Sequence, residues 1–422
     1  MDSNTTIKSI ASFFALIILI ELYNSAQQVE TMKKIAVATT TTAVPKSIES
    51  DKSPQTTGIA SKPIAIVHVG PHKTGSSTIQ QSLVSKRGSM EQDNYLVYPK
   101  EGRNRKETAF LAHCFVEDKS ELHWVGCTEE GSGRSKKRDD VVGEFESFVQ
   151  SALDENQNII LSSEEFDFPS FNFTAFQSYL VPSFQVKVVM TYRRFYDYFI
   201  SFYNQMLKNG QVRDENNFFL SFGDWVLSDD KIFEIYQSQH TYEVYERYKQ
   251  YDGDLSISVM NMHNSLNEQS IVADFFCNHV SDATNTCEVV TNSSDKTENP
   301  SKSSFLDRIF IDDLYRYYNG TSDILSQKNN RAKIVEKFLN MTSFPLRCPS
   351  AELKERLLSV SIKAEKALTA ESWYTSDDGI KSLMEDFEKK MNTTKFCVAD
   401  VEQIVSTAEW QEFWGSLSDT KE

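Results

Sequence analysis

The chain has 422 residues, a net charge of −16, 40% hydrophobic residues and 12% aromatic residues. That length allows one large or two modest domains, and the apolar content is ample for a buried core, which excludes a disordered chain. The acidic balance excludes a nucleic-acid partner and a surface broadly basic enough to hold a long polyanion.

Residues 1–8 read as a short tail ahead of segment 9–26, whose centre is the eleven-residue apolar run Ile10 to Ile20. The run is short for a membrane span and fits a signal-peptide core as well, with Asn24-Ser25-Ala26 a mediocre cleavage site. With Leu22 and Tyr23 added and the ends snorkelling, an uncleaved signal-anchor is expected; a buried N-terminal helix is the plainer alternative. Residues 27–62 are rich in Ser, Thr and Pro without periodicity, as in a linker or O-glycosylated stem. Residues 63–422 then form the main domain, with a helical part from about residue 300.

The main domain opens on Ile64-Ala-Ile-Val-His-Val69, an apolar β-branched run, followed by Gly70-Pro-His-Lys73-Thr-Gly75-Ser-Ser-Thr78 and a helical pattern. That order predicts a buried strand, a tight loop and a helix N-terminus. Such a loop aims backbone N–H groups and the positive end of a helix dipole at one spot, an anion site. Gly75 lets the backbone approach the anion, Lys73 adds a full charge, and Thr74, Ser76, Ser77 and Thr78 add hydroxyl donors. A Walker A loop places its lysine after the second glycine. Here Lys73 precedes Gly75, so the template of kinases and NTPases fails.

Next, Asn158-Ile-Ile-Leu161 predicts a strand ending in the polar turn Ser162-Ser163-Glu164-Glu165, which puts carboxylates at the C-terminal edge of a sheet, where open parallel sheets bind ligands. Gln185 to Met190 predicts another strand, followed by Thr191-Tyr192-Arg193-Arg194 and a helical stretch to Gln205. Arg193 and Ser201 stand at the strand end and about two turns into that helix. A guanidinium fork with a hydroxyl donor suits a dianionic phosphate; Arg194 competes with Arg193 on chemistry alone.

These two elements resemble the sulfotransferases that use 3′-phosphoadenosine 5′-phosphosulfate (PAPS), in the subgroup whose loop reads roughly GPHKTGT. The resemblance covers about residues 63–310 and is specific only at the two phosphate elements. It implies a P-loop NTPase-like α/β three-layer sandwich with a central parallel sheet flanked by helices. It also implies that Lys73, Thr74, Gly75, Ser76, Ser77 and Thr78 hold the 5′-phosphosulfate, and that Arg193 and Ser201 grip the 3′-phosphate. Where many relatives carry a proline two residues after the arginine, this chain has Phe195. The reaction implied moves a sulfuryl group from PAPS to a hydroxyl, most naturally of a carbohydrate. Anchor, stem and catalytic domain in this order is the layout of Golgi glycan-modifying enzymes, single-pass type II with a luminal catalytic domain; a secreted form is the alternative.

Sulfuryl transfer asks for few further parts. The moved group resembles a phosphoryl group with less charge, so no metal clamp is obligatory. The seven histidines and six cysteines show no metal-ligand spacing. Lys73 is expected to neutralise charge on the leaving bridging oxygen. A general base must take the acceptor proton. Relatives carry a similar SSE segment, which puts Glu164 ahead of Glu165. His113 is a rival because cytosolic sulfotransferases use a histidine, and Glu101 is a third candidate. Two readings from other classes stay open: an ATP-dependent kinase with an aberrant loop, and a glycan-binding relative without turnover.

The remaining signals are weaker. Leu255 to Met260 predicts a strand, Ser270 to Phe276 the helix after it, and Asn299 a helix start. The runs Tyr242, Tyr245, Tyr248, Tyr251 and Phe218, Phe219, Phe222, Trp225 pack a core or stack on rings of a ligand. The basic clusters Lys100, Arg103, Arg105, Lys106 and Arg134, Lys136, Lys137, Arg138 steer an anionic acceptor or are solvated loop charges. Cys277 and Cys287 bracket a short polar loop and form the first disulfide expected; Cys114 with Cys127, and Cys348 with Cys397, complete a set consistent with an oxidising lumen. Sequons at Asn172, Asn292, Asn319, Asn340 and Asn392 would be luminal, though chance alone supplies about as many.

Overall fold

The computed structural model describes residues 62–100, 107–118, 126–128, 130, 135–251, 253, 255–263, 270–292, 306–318, 323–368 and 377–418. The expected tail, anchor and stem through residue 61, Glu101, Arg103, Arg105, Lys106, Arg134, Asn319 and the helix start at Asn299 lie outside them. Among the described residues no helix is long and apolar enough to cross a membrane.

Five strands form one parallel sheet: β1 Ile64–Val69, β2 Tyr95–Val97, β3 Asn158–Ser163, β4 Gln185–Tyr192 and β5 Leu255–Asn261. Their order across the sheet is β2-β3-β1-β4-β5, and each neighbouring pair is parallel. A parallel sheet is covered on both faces, which is why β1 and β4 read as near-continuous apolar runs rather than alternating ones. Ala65, Val67 and Val69 face one core, while Ile66 faces the other. On the Ile66 face lies helix α1 (Ser76–Ser85), packing Ile79 and Leu83 with Phe275 and Phe276. The opposite face is covered by α2 (Glu107–Cys114), α3 (Arg138–Asp154) and, further along the chain, Thr241–Lys249, through Leu111, Phe145, Phe148 and Tyr248. Each such fully buried apolar side chain contributes about 1.5–3 kcal/mol. The result is the α/β three-layer sandwich, P-loop NTPase-like in strand order, that the two motifs imply.

His68 is the polar exception inside β1. It is fully buried, its Nδ1 is 2.7 Å from the Ser162 hydroxyl on β3, and its Nε2 is 3.4 Å from the Thr191 hydroxyl on β4. Burial, helped by the charge of His279, pushes its pKa down to about 3, so a neutral ring ties three strands together below the loop.

Helix α4 (Phe195–Lys208) leaves β4 and seats its apolar face on α5 (Ala351–Leu368) and α6 (Asp377–Met391), making a second core with Phe199, Trp225, Leu357 and Phe387. A further cluster joins Phe310, Ile334 and Trp410 from later helices. Phe219, Phe222, Trp225, Tyr245 and Tyr248 are buried in these cores, so the aromatic runs are packing residues; Phe218 instead carries Arg316 over its ring. All three expected disulfides are formed: Cys114–Cys127, Cys277–Cys287 and Cys348–Cys397. Ser270 caps its helix by accepting from the Ala273 N–H at 3.2 Å.

The chain runs from β1 out to β2, back through β3, and then across β1 to β4. The crevice at the C-terminal ends of β3, β1 and β4 is therefore the topological switch point, the place where such sheets bind ligands.

Candidate functional site

The loop after β1 is shaped by two constraints that the sequence states openly. A Cβ on Gly70 would stand 2.6 Å from the Ser76 Cβ and 2.9 Å from the His68 ring, so no other residue fits between strand and helix. Gly75 has φ +86°, the left-handed region, and its missing Cβ would also meet Ile271 at 2.7 Å. Lys73 shares the left-handed conformation at φ 67°, which costs a residue with a Cβ about 1–2 kcal/mol. Thr74 closes the turn, giving its N–H and its hydroxyl to the Pro71 carbonyl at 3.2 and 2.5 Å. Positive φ at Lys73 and Gly75, on either side of Thr74, curls the loop ahead of α1, whose N-terminus offers N–H groups to an anion.

The strand β4 delivers the second element to the same place. The Arg193 guanidinium donates to the Lys73 carbonyl at 2.7 Å, so it holds the strained peptide of the loop. The Lys73 ammonium donates to the Gln205 side-chain carbonyl at 3.0 Å. Positions 197, 201 and 205 recur every four residues on one side of α4, so half-buried Ser201 shares that side with Gln205, while Arg193 lies just ahead of the helix. Phe195 occupies the first helical position, where proline is well tolerated, so its presence here leaves the helix start intact.

Arg194 has a different fate. It is only 4% exposed and lies 3.7 Å from Glu365 and 3.4 Å from Asp386, carboxylates of α5 and α6. Glu365 also accepts from the Tyr192 hydroxyl at 2.6 Å, and Asp386 from the Tyr196 hydroxyl at 2.5 Å. Its charge is spent on tying the sheet to the C-terminal helices.

The third element is a single 3₁₀ turn, Glu164–Asp167, capped by Ser163, whose hydroxyl accepts from the Glu165 N–H at 3.1 Å. The Ser76 hydroxyl donates to Glu164 at 2.9 Å, joining the phosphate loop to the leading base candidate. His72 gives its N–H to Asp167 at 3.1 Å and sets its Nδ1 3.2 Å from the same carboxylate oxygen. Burial works against an imidazolium, but the attraction of Asp167, with Glu164 and Glu165 beyond it, outweighs burial and raises the His72 pKa. A fixed positive charge therefore stands beside Glu164 near neutral pH. His113, on the last turn of α2 and 1% exposed, lies 3.5 Å from Glu165.

Seen together, Lys73, Thr74, Gly75 and Ser76 form one loop, Ser77 and Thr78 open the first turn of α1, and Glu164 is bonded to that loop. Arg193 is likewise bonded to it, and His113 meets Glu165 beside it. His72, Glu164 and Glu165 also bring three ligand atoms within 4.8 Å of one another. Their donor set suits a cation, and a protonated His72 is itself a positive charge among these carboxylates. Arg138 donates to the Cys114 carbonyl at 2.5 Å, and Lys136 lies over the Phe110 ring, so half of the second basic cluster is built into α2.

The sequence reading did not single out His72, Asp167, Gln205, Lys390 or Lys395. His72 was visible as the neighbour of Lys73, and Asp167 as the last acid of the run Glu164-Glu165-Phe166-Asp167. Lys390 and Lys395 carry no local signal, because only tertiary folding brings them to Asp197.

No protein-family model and no curated protein matches the sequence. Among solved structures, a sulfotransferase from Alicyclobacillus acidocaldarius aligns at 15% identity with a TM-score of 0.31, over 65% of this chain and 96% of that one. A structure of the PezAT chromosomal toxin–antitoxin system of Streptococcus pneumoniae aligns at 12% identity with a TM-score of 0.24, over 55% and 85%.

Proposed function

We propose that this protein is a sulfotransferase that moves a sulfuryl group from PAPS to a hydroxyl of a carbohydrate. The observation that carries the reading is the joining of three separate segments at one sheet edge: Arg193 on the Lys73 carbonyl, Gln205 on the Lys73 ammonium, and Glu164 on the Ser76 hydroxyl. Gly75 and the loop N–H groups fit a phosphosulfate, and Arg193 with Ser201 fits a phosphate monoester. The short route from Ser76 to Glu164 supports an acceptor hydroxyl lying between them.

In this reading Lys73 leaves Gln205 to stabilise charge on the bridging oxygen, and the loop N–H groups bind the non-bridging oxygens. Ser76 turns from Glu164 to the donor, which frees the Glu164 carboxylate to accept the proton of the acceptor hydroxyl. The His72 charge holds Glu164 and Glu165 together without a metal ion. The acidic balance of −16 favours a neutral or weakly charged glycan over a heparan-like chain.

We further propose a type II Golgi location through segment 9–26, with the domain in the lumen. Three disulfides with no free cysteine among the described residues support an oxidising compartment. The test is incubation of the purified chain with sulfur-labelled PAPS and a panel of neutral and acidic glycans. Label on a glycan is expected; absence of label on every acceptor, with PAPS bound, would point to the glycan-binding alternative.

A further inference from the structure

Beside Arg193 the C-terminal helices place charges that nothing in the loop or the sheet calls for. Asp197, one turn beyond Arg193 and one turn before Ser201, has its side chain 3% exposed. It is bonded by two lysines, Lys390 at 2.6 Å from the end of α6 and Lys395 from the turn that follows. Lys390 also bonds Asp386 at 2.6 Å. Among the described ion pairs here, Arg194, Lys390 and Lys395 share Asp197, Asp386 and Glu365, with Arg193 beside Asp197, so four cations meet three carboxylates in a chain that is strongly acidic overall. Burial pushes the Lys395 pKa down, Asp197 pulls it up, and Lys390 and Arg193 push it down again. The Lys395 side chain is nonetheless 36% exposed, unlike that of Asp197 at 3%.

The turn carrying Lys395 is fixed on both sides. Phe396 and Cys397 give their N–H groups to the Thr393 carbonyl at 3.0 Å, Cys397 is bonded to Cys348, and Val398–Ala399 pairs with Leu346–Arg347. A lysine that merely balanced Asp197 would duplicate Lys390. Its partner Asp197 stands one turn before Ser201 on α4, and the charge of Arg193 acts on Lys395, which suits a dianion shared among the three.

We propose that Lys395 is a third ligand of the donor's 3′-phosphate, so that the C-terminal helical layer, pinned by Cys348–Cys397, forms one wall of the nucleotide site. This rests on the sulfotransferase reading and assigns a binding role to a region that has none otherwise. Loss of one charge-assisted bond to a phosphate corresponds to about a tenfold change in affinity. The experiment is calorimetric titration of the full chain, Lys395→Gln and Lys395→Arg, with 3′-phosphoadenosine 5′-phosphate and with adenosine 5′-monophosphate, which lacks only the 3′-phosphate. Lys395→Gln is expected to bind the bisphosphate about tenfold more weakly and the monophosphate as before, with Lys395→Arg recovering most of the loss. An unchanged bisphosphate affinity, or an equal loss for both nucleotides, would overturn the assignment while leaving the function standing. Failure of the unaltered chain to bind the bisphosphate would instead overturn the sulfotransferase reading itself.

Discussion

The two sides of the crevice are built on different principles. On the loop side, Lys73, Gly75, Arg193 and Gln205 come from a loop, the residues after β4 and one helix, and are fixed by backbone geometry and direct hydrogen bonds. On the carboxylate side, Glu164, Glu165, Asp167, His72 and His113 form a crowded cluster in which acids outnumber the bases that balance them. The loop backbone is thus held in place by its own geometry, whereas the state of the carboxylate side depends on where protons sit. The difference teaches that a phosphate grip can be read from a strand–loop–helix, while a proton-transfer site cannot.

Mutations separate the two sides. Lys73→Ala should lower kcat by about 10³-fold, the cost of removing one preorganised charge from the leaving oxygen. Glu164→Gln should lower kcat by about 10²-fold while bisphosphate affinity measured by calorimetry stays as it was. If Glu165→Gln or His113→Ala shows that pattern and Glu164→Gln does not, the base is misassigned. Arg194→Ala tests the contrast between adjacent arginines. It leaves Glu365 buried without its cation, so a loss of about 3 kcal/mol in unfolding free energy is expected, without the nucleotide-selective loss expected of Arg193→Ala.

Smaller effects follow from protonation. Burial pushes His68 down to about 3, His240 to about 4 and His263 to about 3, so each is neutral when folded and takes up a proton on unfolding below about pH 6.5. The unfolded state then binds more protons, and stability falls with decreasing pH between about 6.5 and 4, by roughly 1.4 kcal/mol per pH unit for each ring. His72 has the opposite sign: its raised pKa stabilises the fold below 6.5, and that contribution is lost as the pH rises through the folded value. Denaturant titrations from pH 4 to 9 should therefore show the steeper limb on the acid side. The smallest effect expected is that of a chelator: activity should be unchanged in EDTA, and a loss restored by a divalent ion would mean that His72, Glu164 and Glu165 hold a metal.

Much of the frame was legible because its signals are local. The β-branched runs at 64–69 and 185–190 marked the central strands, Gly70 and Gly75 marked the loop, and cysteine spacing marked the disulfides. Strand β4 continues two residues beyond the run, through Tyr192, because Thr191 and Tyr192 still pair with Met260 and Asn261 of β5. The rest depended on distance in sequence. Nothing near Arg194 announces Glu365 or Asp386, and nothing near Asp197 announces Lys395, since these pairs form only when α5 and α6 dock on α4. Which acid is the base was likewise not legible, because Glu164 and Glu165 are adjacent and only the fold decides that one meets Ser76 and the other His113.

The central claim is that the loop and the Arg193 element together bind a nucleoside 3′,5′-bisphosphate. Calorimetric titration of the full chain with 3′-phosphoadenosine 5′-phosphate in the absence of metal, beside ATP with Mg²⁺, tests it most directly. The account predicts tight binding of the bisphosphate that is lost in Arg193→Ala and Ser201→Ala. No bisphosphate binding, or a clear preference for Mg-ATP, would contradict it and favour the kinase.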